Sequence, residues 1–394
     1  MSRPLKLAVI AGEESGELLA SDLVRAIQAK TARNVELIGV GGHELSTLGL
    51  KSLFPSGDIA LMGFSAIVKD LPRLIYRIGS TARHIAAEQP DCLITVDSPD
   101  FNLRVAAKVR AAAPQIPIVH YVCPSVWAWR PGRAHAMRPH VDHILCLLPF
   151  EPAELARLNG PPGTFVGHRL SHHPGVLHAA RMQNERQPRN AETPAKLLLL
   201  PGSRKGEVRA LIESFRQTIE ILCARGRPPE LFLPTVSNVA NLVQEAVSSW
   251  PEKPRILLDQ GEKWRVFGEA DAALIASGTV ALELALSDVP MISTYKLDPV
   301  ARLARRLVTA WSASLPNLIA DRVVVPEYID EMLRPAYVAR QLEALINDTA
   351  FRRWQKEGFR EIRDRMRTER PSGEIAGDVI LQLVFINQRQ LQLI

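Results

Sequence analysis

Short apolar runs alternate with longer amphipathic stretches from the first residues onward, and this rhythm limits the possible folds more than any other feature. The run LKLAVIAG predicts a strand, and the SGELLASDLVRAIQAK that follows predicts a helix with Ser15 as its N-cap. VELIGVGG, CLITVD, PIVHYV and HILCLLP predict further strands, and the segments 65–89, 101–112 and 131–139 have helical patterns. Such alternation predicts a parallel sheet that is covered on both faces.

The rhythm fades between Gly167 and Pro194 and then restarts. The interruption is polar, rich in His and Arg, and punctuated by Pro and Gly, so it predicts a connection between lobes. After it, KLLLLPGSR, ELFLPT, RILLD, AALIA and PMISTY predict a second series of strands with helices between them. A chain of 394 residues is also too long for one ordinary core, which favours two domains.

We therefore predict an α/β chain with two Rossmann-like domains that face a cleft, and C-terminal helices that pack across both lobes. The predicted segments are an N-terminal domain over 1–170, an interlobe linker over 171–195, a C-terminal domain over 196–370, and a helix over 371–394 that can return to the N-terminal lobe. In open parallel sheets, ligands bind at the carboxyl ends of the strands. The ligand site is therefore expected at this cleft.

Composition excludes several classes of protein. No stretch approaches the roughly 18 to 20 uninterrupted apolar residues of a spanning helix, and the first apolar run is too short for a signal peptide. Cys92, Cys123, Cys146 and Cys223 stand far apart in the sequence, which favours reduced, buried thiols over a disulfide framework or a zinc site. We expect a cytoplasmic protein.

The basic charge is unevenly distributed. The formal net charge is +6, and the stretch from Phe101 to Val141 contains no Asp or Glu. Its basic residues are Arg104, Lys108, Arg110, Arg130, Arg133 and Arg138. Such a field favours an anionic partner, namely nucleic acid, anionic lipid or a phosphorylated substrate, although a solubilising basic surface explains it equally well. The sequence has no recognisable nucleic-acid-binding module, so we expect no nucleic acid partner.

The first predicted strand ends in the turn AGEESGE, over residues 11–17. Small residues such as Gly16 let a ligand approach the backbone, and a helix N-terminus favours anions. The spacing matches neither G-x-G-x-x-G nor G-x-x-x-x-G-K-[ST]. A tight turn that needs glycine is the alternative.

A second candidate is the segment TVDSPDFN, in which Asp97 and Asp100 follow a strand. A carboxylate at this position could accept a proton from a sugar hydroxyl as the hydroxyl attacks. The alternative is a pair of capping residues for a helix that starts at Phe101, and this alternative suits Asp100 better than Asp97.

The loop HYVCPSVWAWRPGR contains two of the six tryptophans, Trp127 and Trp129, beside Arg130 and Arg133. Exposed aromatic rings beside arginines favour stacking on a sugar or contact with an acyl chain. Ordinary packing beneath the loop is the alternative.

Two turns of the second lobe combine small residues with the start of a helix. LLLLPGSRKGE contains Arg204, and ALIASGTVALE contains Gly278 and Glu283. Both turns predict free backbone N–H groups that could bind a diphosphate, and Glu283 could accept ribose hydroxyls. Ordinary βα turns are the alternative for either motif alone.

The sequence favours chemistry without a metal. It contains no D-x-D pair, and the histidines at 168, 172, 173 and 178 lack clean ligand spacing. A leaving diphosphate would then be stabilised by Arg204 and helix dipoles.

Several motifs together resemble the lipid-A-disaccharide synthase family. In the family's order they are AGEESGE, GVGG (39–42), LMGF (61–64), VDSPDFN, YVCPSVWAWR, LPFE (148–151), FVGH (165–168), LLPGSR, ASGTVALE and SLPNLIA (314–320). They span about residues 7 to 320. The combination of PSVWAWR with VDSPDFN is highly specific, whereas each short glycine motif alone is weak.

The resemblance implies a GT-B fold with an acceptor-binding N-terminal domain and a UDP-sugar-binding C-terminal domain. It also implies an inverting transfer, without a cofactor, of 2,3-diacylglucosamine from UDP to the 6-hydroxyl of 2,3-diacylglucosamine 1-phosphate. The products are the lipid A disaccharide 1-phosphate and UDP.

By position, Asp97 resembles the family's proposed base or essential carboxylate, and Arg204 its essential arginine. The expected UDP-binding residues are Gly202, Ser203, Arg204, Ser277, Gly278, Thr279, Glu283 and Asn317. The expected acceptor- and sugar-binding residues are Ser15, Gly16, Asp100, Asn102, Ser125, Trp127, Trp129 and Arg130.

The stretch LMGFSAIVKDLPRLIYRIG resembles the family's membrane-docking segment, and its mixture of apolar and basic residues suits interfacial binding. The candidate docking residues are Met62, Phe64, Ile67, Leu71, Arg73, Leu74 and Arg77. An ordinary helix with its apolar face in the core is the alternative. The resemblance implies peripheral association with the inner face of the inner membrane of a Gram-negative-type bacterium, and it leaves an oligomer open.

Three positions depart from the family pattern. Glu17 stands where Asp is usual, Cys123 where Ser is usual, and Arg169 follows the FVGH histidine where Pro or Thr is frequent. They leave acceptor-side detail open. The rival hypotheses are another GT-B-like UDP-sugar enzyme, such as a UDP-N-acetylglucosamine 2-epimerase or a glycan-building transferase, and a non-catalytic lipid- or nucleotide-binding protein.

Overall fold

A computed structural model describes residues 3–60, 67–187, 189–190, 192–226, 228–297 and 307–391. The chain divides into two compact units, the first made of residues 1–169 and 368–394 and the second of residues 170–367. Each unit is built on a six-stranded sheet whose paired strands are all parallel. The prediction of two Rossmann-like α/β domains is confirmed. The predicted cleft between them stays a prediction.

The sheet of the first unit has the order β2-β1-β3-β4-β5-β6. Its strands are β1 (Leu5–Ala11), β2 (Val35–Val40), β3 (Cys92–Val96), β4 (Ile118–Tyr121), β5 (His143–Cys146) and β6 (Gly163–Phe165). All five residues of β3 are buried, because helices cover both faces of a parallel sheet. Strand β2 lies on one side of β1, and β3 and the later strands lie on the other side. The position between β1 and β3 is therefore a topological switch point, which forms a crevice at the carboxyl ends of the strands.

The helices of the first unit include the last one of the described chain. They are α1 (Glu14–Lys30), α2 (His43–Ser46), α3 (Gly57–Ala60), α4 (Ile67–Glu88), α5 (Pro99–Ala112), α6 (Gly132–Met137), α7 (Glu151–Arg157) and α16 (Ser372–Leu391). Helices α4 and α5 contribute to the core on one face of the sheet, and α1 and α16 to the core on the other. The C-terminal helix therefore packs on the N-terminal unit.

Two helix starts differ from the sequence-based expectation. Helix α1 begins at Glu14 with Glu13 in the N-cap position, so Ser15 lies inside the helix and is not its cap. Helix α5 begins at Pro99 with Ser98 in the N-cap position, so Asp100 is not a cap either. Proline is favoured in the first turn of a helix, and this preference places the start of α5 earlier than expected.

The sheet of the second unit has the order β12-β11-β10-β7-β8-β9. Its strands are β7 (Lys196–Leu200), β8 (Glu230–Pro234), β9 (Arg255–Leu257), β10 (Ala272–Ala276), β11 (Met291–Tyr295) and β12 (Glu327–Ile329). All five residues of β10 are buried. The switch point lies between β7 and β10, as in dinucleotide-binding Rossmann sheets.

The helices of the second unit begin inside the predicted linker. They are α8 (Pro174–Glu185), α9 (Lys205–Arg225), α10 (Ser237–Val247), α11 (Gln260–Glu269), α12 (Thr279–Leu286), α13 (Leu315–Ala320), α14 (Pro335–Ile346) and α15 (Ala350–Met366). Helix α8 packs against α11 through Val176, Ala179 and Gln183, which are buried. Much of the segment 171–195 is thus a folded part of the second unit. Within the described residues, no helix has both the length and the apolar character needed to cross a membrane.

Candidate functional site

The second unit contains a cavity of about 370 Å³ at the carboxyl edge of its sheet. It is lined by residues that follow β7, β8, β9 and β10 and by the first turns of α9, α11 and α12. The cavity therefore lies at the switch point, where open α/β sheets bind ligands. Of the eight expected UDP-binding residues, the cavity brings together Gly202, Ser203, Arg204, Ser277, Gly278, Thr279 and Glu283.

The turn between β7 and α9 needs glycine. Gly202 has φ +115°, and a Cβ atom there would lie 2.5 Å from Glu207 Oε2. The Glu207 carboxylate accepts the backbone N–H groups of Ser203 (3.2 Å) and Arg204 (3.3 Å). The prediction that these N–H groups are free is therefore wrong, because the chain's own carboxylate occupies the anion position at this helix start.

The guanidinium of Arg204 also contacts Glu207, with 2.9 Å between Arg204 Nη1 and Glu207 Oε1. The Arg204 side chain is 82% exposed. An ion pair that is this exposed is held weakly, since solvent screens it. Arg204 can thus exchange its contact with Glu207 for one with a phosphate.

The turn between β10 and α12 is the more open of the two. A Cβ atom at Gly278 would meet nothing within 4 Å. The N–H group of Ser277 donates to Thr294 O (2.9 Å), and its hydroxyl donates to Ala313 O (3.1 Å). Among the described residues, the N–H groups of Gly278 and Thr279 have no hydrogen-bond acceptor. These donors, at the positive end of α12, are suited to bind an anion.

Asn317 does not line this cavity, and its expected role as a UDP-binding residue is corrected. Its side chain is buried, and its Nδ2 atom donates to Val325 O at 2.9 Å. Its Oδ1 atom accepts the N–H groups of Val324 (2.8 Å) and Val325 (2.7 Å). The amide is used to hold the segment that follows α13, because a buried amide must satisfy its hydrogen bonds within the fold.

The cavity contains residues that the sequence did not single out. Val236 and Leu258 are exposed apolar side chains in its lining, which suits the face of a nucleobase. Lys263 lies one turn into α11, with its ammonium 2.6 Å from Glu283 Oε2. The signal in the sequence was the third strand–turn–helix pattern of this lobe, RILLDQGEKW, which follows the same rule as the two turns that were recognised.

In the first unit, Asp97 lies at the switch point on a turn with unusual backbone geometry. Asp97 has φ +52° and Ser98 has φ +42°, both in the left-handed region. The Asp97 N–H donates to Tyr121 O at 2.9 Å, which ties the turn to the end of β4. Burial raises the pKa of the Asp97 carboxyl above its ordinary value, although a hydrogen bond from the Ser98 backbone opposes this. A partly desolvated carboxylate at a strand end is a suitable proton acceptor.

Asn102 holds this turn in place. Its side chain is buried, and its Nδ2 atom donates to Asp97 O (2.7 Å) and Val96 O (3.0 Å). The expected acceptor-binding role of Asn102 is therefore corrected to the positioning of Asp97. Asp100, in contrast, is exposed and pairs with Arg133 at 2.7 Å.

The turn after β1 lies beside Asp97. A Cβ atom at Gly16 would come within 3.9 Å of Asp97 Cβ, so the start of α1 contacts the Asp97 turn. Ser15 is exposed at the same helix start. The unusual Glu17 is buried and accepts the N–H group of Gly42, and its longer side chain thereby links α1 to the turn after β2.

The tryptophan loop follows β4 at the same edge. Trp127 packs edge-to-face on Phe150, with 5.3 Å between ring centroids, and its Nε1 atom donates to Glu151 Oε1 at 3.2 Å. This contact supports the packing hypothesis for Trp127. The guanidinium carbon of Arg130 lies over the ring of Trp129, 4.0 Å from the centroid of that ring. Ser125 is exposed at the start of the loop.

Glu151 connects the loops after β4 and β5. Its Oε2 atom accepts the N–H groups of Leu147 (2.9 Å) and Leu148 (3.0 Å). Burial nevertheless raises the pKa of Glu151 to about 7, because desolvation outweighs these hydrogen bonds.

Two cysteines that are distant in the sequence meet beside Glu151. Cys123 Sγ, Cys146 Sγ and a carboxylate oxygen of Glu151 lie within 4.8 Å of one another, the single such group found among the described residues. The two thiols meet because β4 and β5 are neighbours in the sheet, and both are free and buried, as the sequence predicted. The group does not suit a metal, because both oxygens of Glu151 already accept N–H groups. A hydrogen bond with Cys146 and burial also raise the pKa of Cys123.

The candidate membrane-docking residues divide into three groups. Met62 and Phe64 lie outside the described residues, as do the side chains of Ile67 and Leu71 on the first turns of α4. Leu74 belongs to the core, so its docking assignment is corrected. Arg73 and Arg77 both pair with Asp58, at 2.8 and 2.9 Å.

The neighbouring face of α4 remains available to solvent. Ile75 and Tyr76 are 56% and 65% exposed. The helix is thus amphipathic, with Leu74 and Ile78 directed into the core. The core-helix alternative explains one face of the segment but leaves two large apolar residues exposed.

A family model described as Lipid-A-disaccharide synthetase matches residues 7–375. The lipid-A-disaccharide synthase of Nitrobacter winogradskyi is 44% identical over 379 residues, which cover 96% of this chain and 95% of that protein. This chain belongs to the lipid-A-disaccharide synthetase family. The match extends over both units and contains the motifs that carried the resemblance.

Solved structures show the same fold at low sequence identity. MurG of Acinetobacter baumannii has a TM-score of 0.58 and 14% identity, with coverage of 96% of this chain and 100% of that chain. The calicheamicin glycosyltransferase CalG4 has a TM-score of 0.57 and 15% identity, with coverage of 98% and 99%. The fold is that of the GT-B glycosyltransferases. A UDP-GlcNAc 2-epimerase from Neisseria meningitidis shares it, with a TM-score of 0.55, 12% identity and coverage of 97% and 100%.

Proposed function

We propose that this chain transfers 2,3-diacylglucosamine from UDP to the 6-hydroxyl of 2,3-diacylglucosamine 1-phosphate, forming the lipid A disaccharide 1-phosphate and UDP. The observation that carries the proposal is family membership over residues 7–375 together with a cavity at the switch point of the second unit. The shared GT-B fold alone would equally suit an epimerase or a glycan-building transferase. The 44% identity to a lipid-A-disaccharide synthase favours the transfer.

The donor nucleotide binds in the second unit. The base lies against Val236 and Leu258, and Glu283 accepts the ribose hydroxyls. The diphosphate binds at the start of α12, where the N–H groups of Gly278 and Thr279 and the helix dipole favour an anion. Arg204 leaves Glu207 and binds the diphosphate as charge develops on the leaving group, which requires no metal.

Asp97 of the first unit accepts the proton of the acceptor hydroxyl. The hydroxyl oxygen attacks the anomeric carbon of the donor sugar, and the bond from that carbon to UDP breaks. UDP leaves with the electron pair, the configuration inverts, and the proton passes to the Asp97 carboxylate. The raised pKa of this carboxyl supports the assignment, since a stronger base accepts the proton more readily.

The remaining acceptor contacts come from the same edge of the first sheet. Ser15, Gly16, Ser125, Trp129 and Arg130 are proposed to line the acceptor site. The exposed face of α4 at Ile75 and Tyr76 suits peripheral contact with an anionic membrane from the cytoplasmic side. Nucleic acid is not a proposed partner.

A product assay tests this function. The full chain is supplied with UDP-2,3-diacylglucosamine and 2,3-diacylglucosamine 1-phosphate, with and without EDTA, and UDP-N-acetylglucosamine replaces the acylated donor in a parallel arm. We expect disaccharide and UDP from the acylated donor only, at the same rate with EDTA. Turnover of UDP-N-acetylglucosamine alone would favour the epimerase or glycan-building alternative, absence of any product would favour a binding protein, and loss of activity in EDTA would contradict the metal-free mechanism.

A further inference from the structure

Lys263 is a cationic residue of the cavity that the proposed mechanism does not use. It lies on α11, and its Nζ atom is 2.6 Å from Glu283 Oε2 on α12. Both side chains are only 18% exposed. At this distance and burial the pair is screened far less than a surface ion pair.

Two aromatic rings also contact the ammonium of Lys263. It lies 4.4 Å from the ring centroid of Trp264 and 5.5 Å from that of Phe267. The Trp264 ring is itself fixed, because it packs so closely on α8 that a Cβ atom at Gly175 would come within 2.3 Å of it. A cation over an aromatic face is attracted by the ring's quadrupole. The position of the ammonium is therefore determined by the packing of α8 on α11.

The contact with Lys263 uses only one oxygen of the Glu283 carboxylate. Oε2 is buried and faces the ammonium. No hydrogen bond to Oε1 is found among the described residues, and Glu283 lines the cavity. An ionised carboxylate that is this buried needs a counter-charge, since the loss of hydration is otherwise uncompensated. Lys263 supplies that charge and leaves Oε1 to accept a donor from a ligand.

We propose that Lys263 is a positioning residue that fixes Glu283 as the acceptor of ribose hydroxyls and so makes the cavity select ribonucleoside over deoxyribonucleoside diphosphates. The inference rests on the proposed function, because it assumes that this cavity binds the nucleotide of the donor. A lysine that positions Glu283 and a lysine that contacts the diphosphate directly have different effects on nucleotide selectivity. A lysine that binds the diphosphate would strengthen the binding of both classes of nucleotide equally.

The test compares the binding of UDP and 2′-deoxy-UDP to the full-length chain by titration calorimetry. The variants are Lys263→Met, which removes the charge at similar length, and Glu283→Gln. Lys356→Met is the matched control, because Lys356 forms a 2.8 Å pair with the buried Asp288 in the same unit but does not line this cavity. We expect the wild-type chain to bind UDP roughly tenfold more tightly than 2′-deoxy-UDP, the scale of one hydrogen bond to a charged group.

In Lys263→Met and Glu283→Gln the contact with the 2′-hydroxyl should be lost, so UDP should lose about tenfold more affinity than 2′-deoxy-UDP and the ratio of the two affinities should approach one. In Lys356→Met the ratio should keep its wild-type value. The double variant should lose no more than either single variant, since the two residues act as a unit. If Lys263→Met is too unstable to titrate, Glu283→Gln and Lys263→Gln provide the same ratio.

An unchanged ratio in Lys263→Met would overturn the inference. So would an equal loss of affinity for both nucleotides, which would make Lys263 a phosphate ligand or a purely structural residue. A wild-type chain that binds neither nucleotide would instead contradict the proposed function. The two failures are therefore distinguishable.

Discussion

The two units place their functional groups at the same edge of similar sheets, but they use the backbone differently. In the first unit, side-chain-bearing residues occupy left-handed positions at this edge: Asp97 (φ +52°), Ser98 (+42°), Val122 (+77°) and Arg130 (+53°). In the cavity of the second unit, the left-handed position belongs to Gly202 (φ +115°). The left-handed turns at this edge of the first unit thus carry side chains, whereas the left-handed turn of the cavity carries none.

The opposite edges of the two sheets are, in contrast, nearly alike. Asp91 Oδ2 accepts the N–H group of Lys6 at 2.9 Å in the first unit, and Asp271 Oδ2 accepts that of Lys196 at 2.8 Å in the second. In each unit this aspartate precedes the strand across the switch point and fixes the first strand beside it. At this position the two units agree, whereas the turns at their carboxyl edges differ.

This difference has an energetic consequence. A residue with a side chain in a left-handed conformation costs on the order of 1–3 kcal/mol, and a β-branched residue such as Val122 is a genuine outlier. Glycine avoids the cost but cannot carry a carboxylate. The turn that carries Asp97 is therefore strained. Four predictions test this comparison, from the largest expected effect to the smallest.

Asp97→Asn should lower turnover by about 10² or more, since a general base contributes on this scale. Asparagine has the same size and tolerates the left-handed conformation, so the turn should persist. Steady-state rates and UDP titrations on the same samples measure the effect, and we expect the UDP affinity of the second unit to stay unchanged. A rate like that of the wild-type chain would remove Asp97 from the chemistry.

Arg204→Ala should lower turnover by roughly 10², because the leaving diphosphate loses the arginine cation that stabilises it in the transition state. The melting temperature should hardly change, since the side chain is 82% exposed. Arg209→Ala is the matched control, because Arg209 is an exposed arginine on the same helix that does not line the cavity. Equal losses of rate in both variants would contradict a specific role for Arg204.

Gly202→Ala should lower the free energy of unfolding by about 1–3 kcal/mol. An alanine would be strained at this left-handed φ, and its Cβ atom would clash with the side chain of Glu207. Gly278→Ala should change it by no more than about 0.5 kcal/mol, since its Cβ atom meets nothing within 4 Å. The same Cβ atom should still weaken UDP binding, because it would occupy space at the start of α12. Denaturant unfolding and UDP titration check the pair, and equal stability of the two variants would break the comparison.

The pH dependence of kcat/KM should show an acidic limb at a pH above the ordinary pKa of aspartate. The sign follows from the role of Asp97: the base must be ionised, and burial raises its pKa, so activity disappears as pH falls through that raised value. The residual activity of Asp97→Asn should lack this limb. A limb that persists unchanged in the variant would belong to another group.

The sequence determined the architecture of both units through local pattern. Strands such as β3 and β10 are buried at every position, so they require continuous apolar runs, and these runs are visible without any structure. The short strands β6 and β12 were not recognised, because GTF and EYI contain too few buried apolar residues to form an apolar run. Strand β9 is equally short but was recognised from the apolar run RILLD. Most of the expected nucleotide site also followed from sequence. Its residues lie in turns directly after predicted strands, and parallel strands place those turns at one edge.

Only the tertiary structure shows which segments that are separated in the sequence contact one another. Lys263 and Glu283 stand on different helices, and Cys123 meets Cys146 because β4 and β5 pair. The motifs that contain Asn102 and Asn317 were recognised, but the amides of both residues are used inside the fold. Periodicity reports which face of an element is buried. It does not report which polar atoms meet there, because that depends on strand order and helix packing across the whole unit.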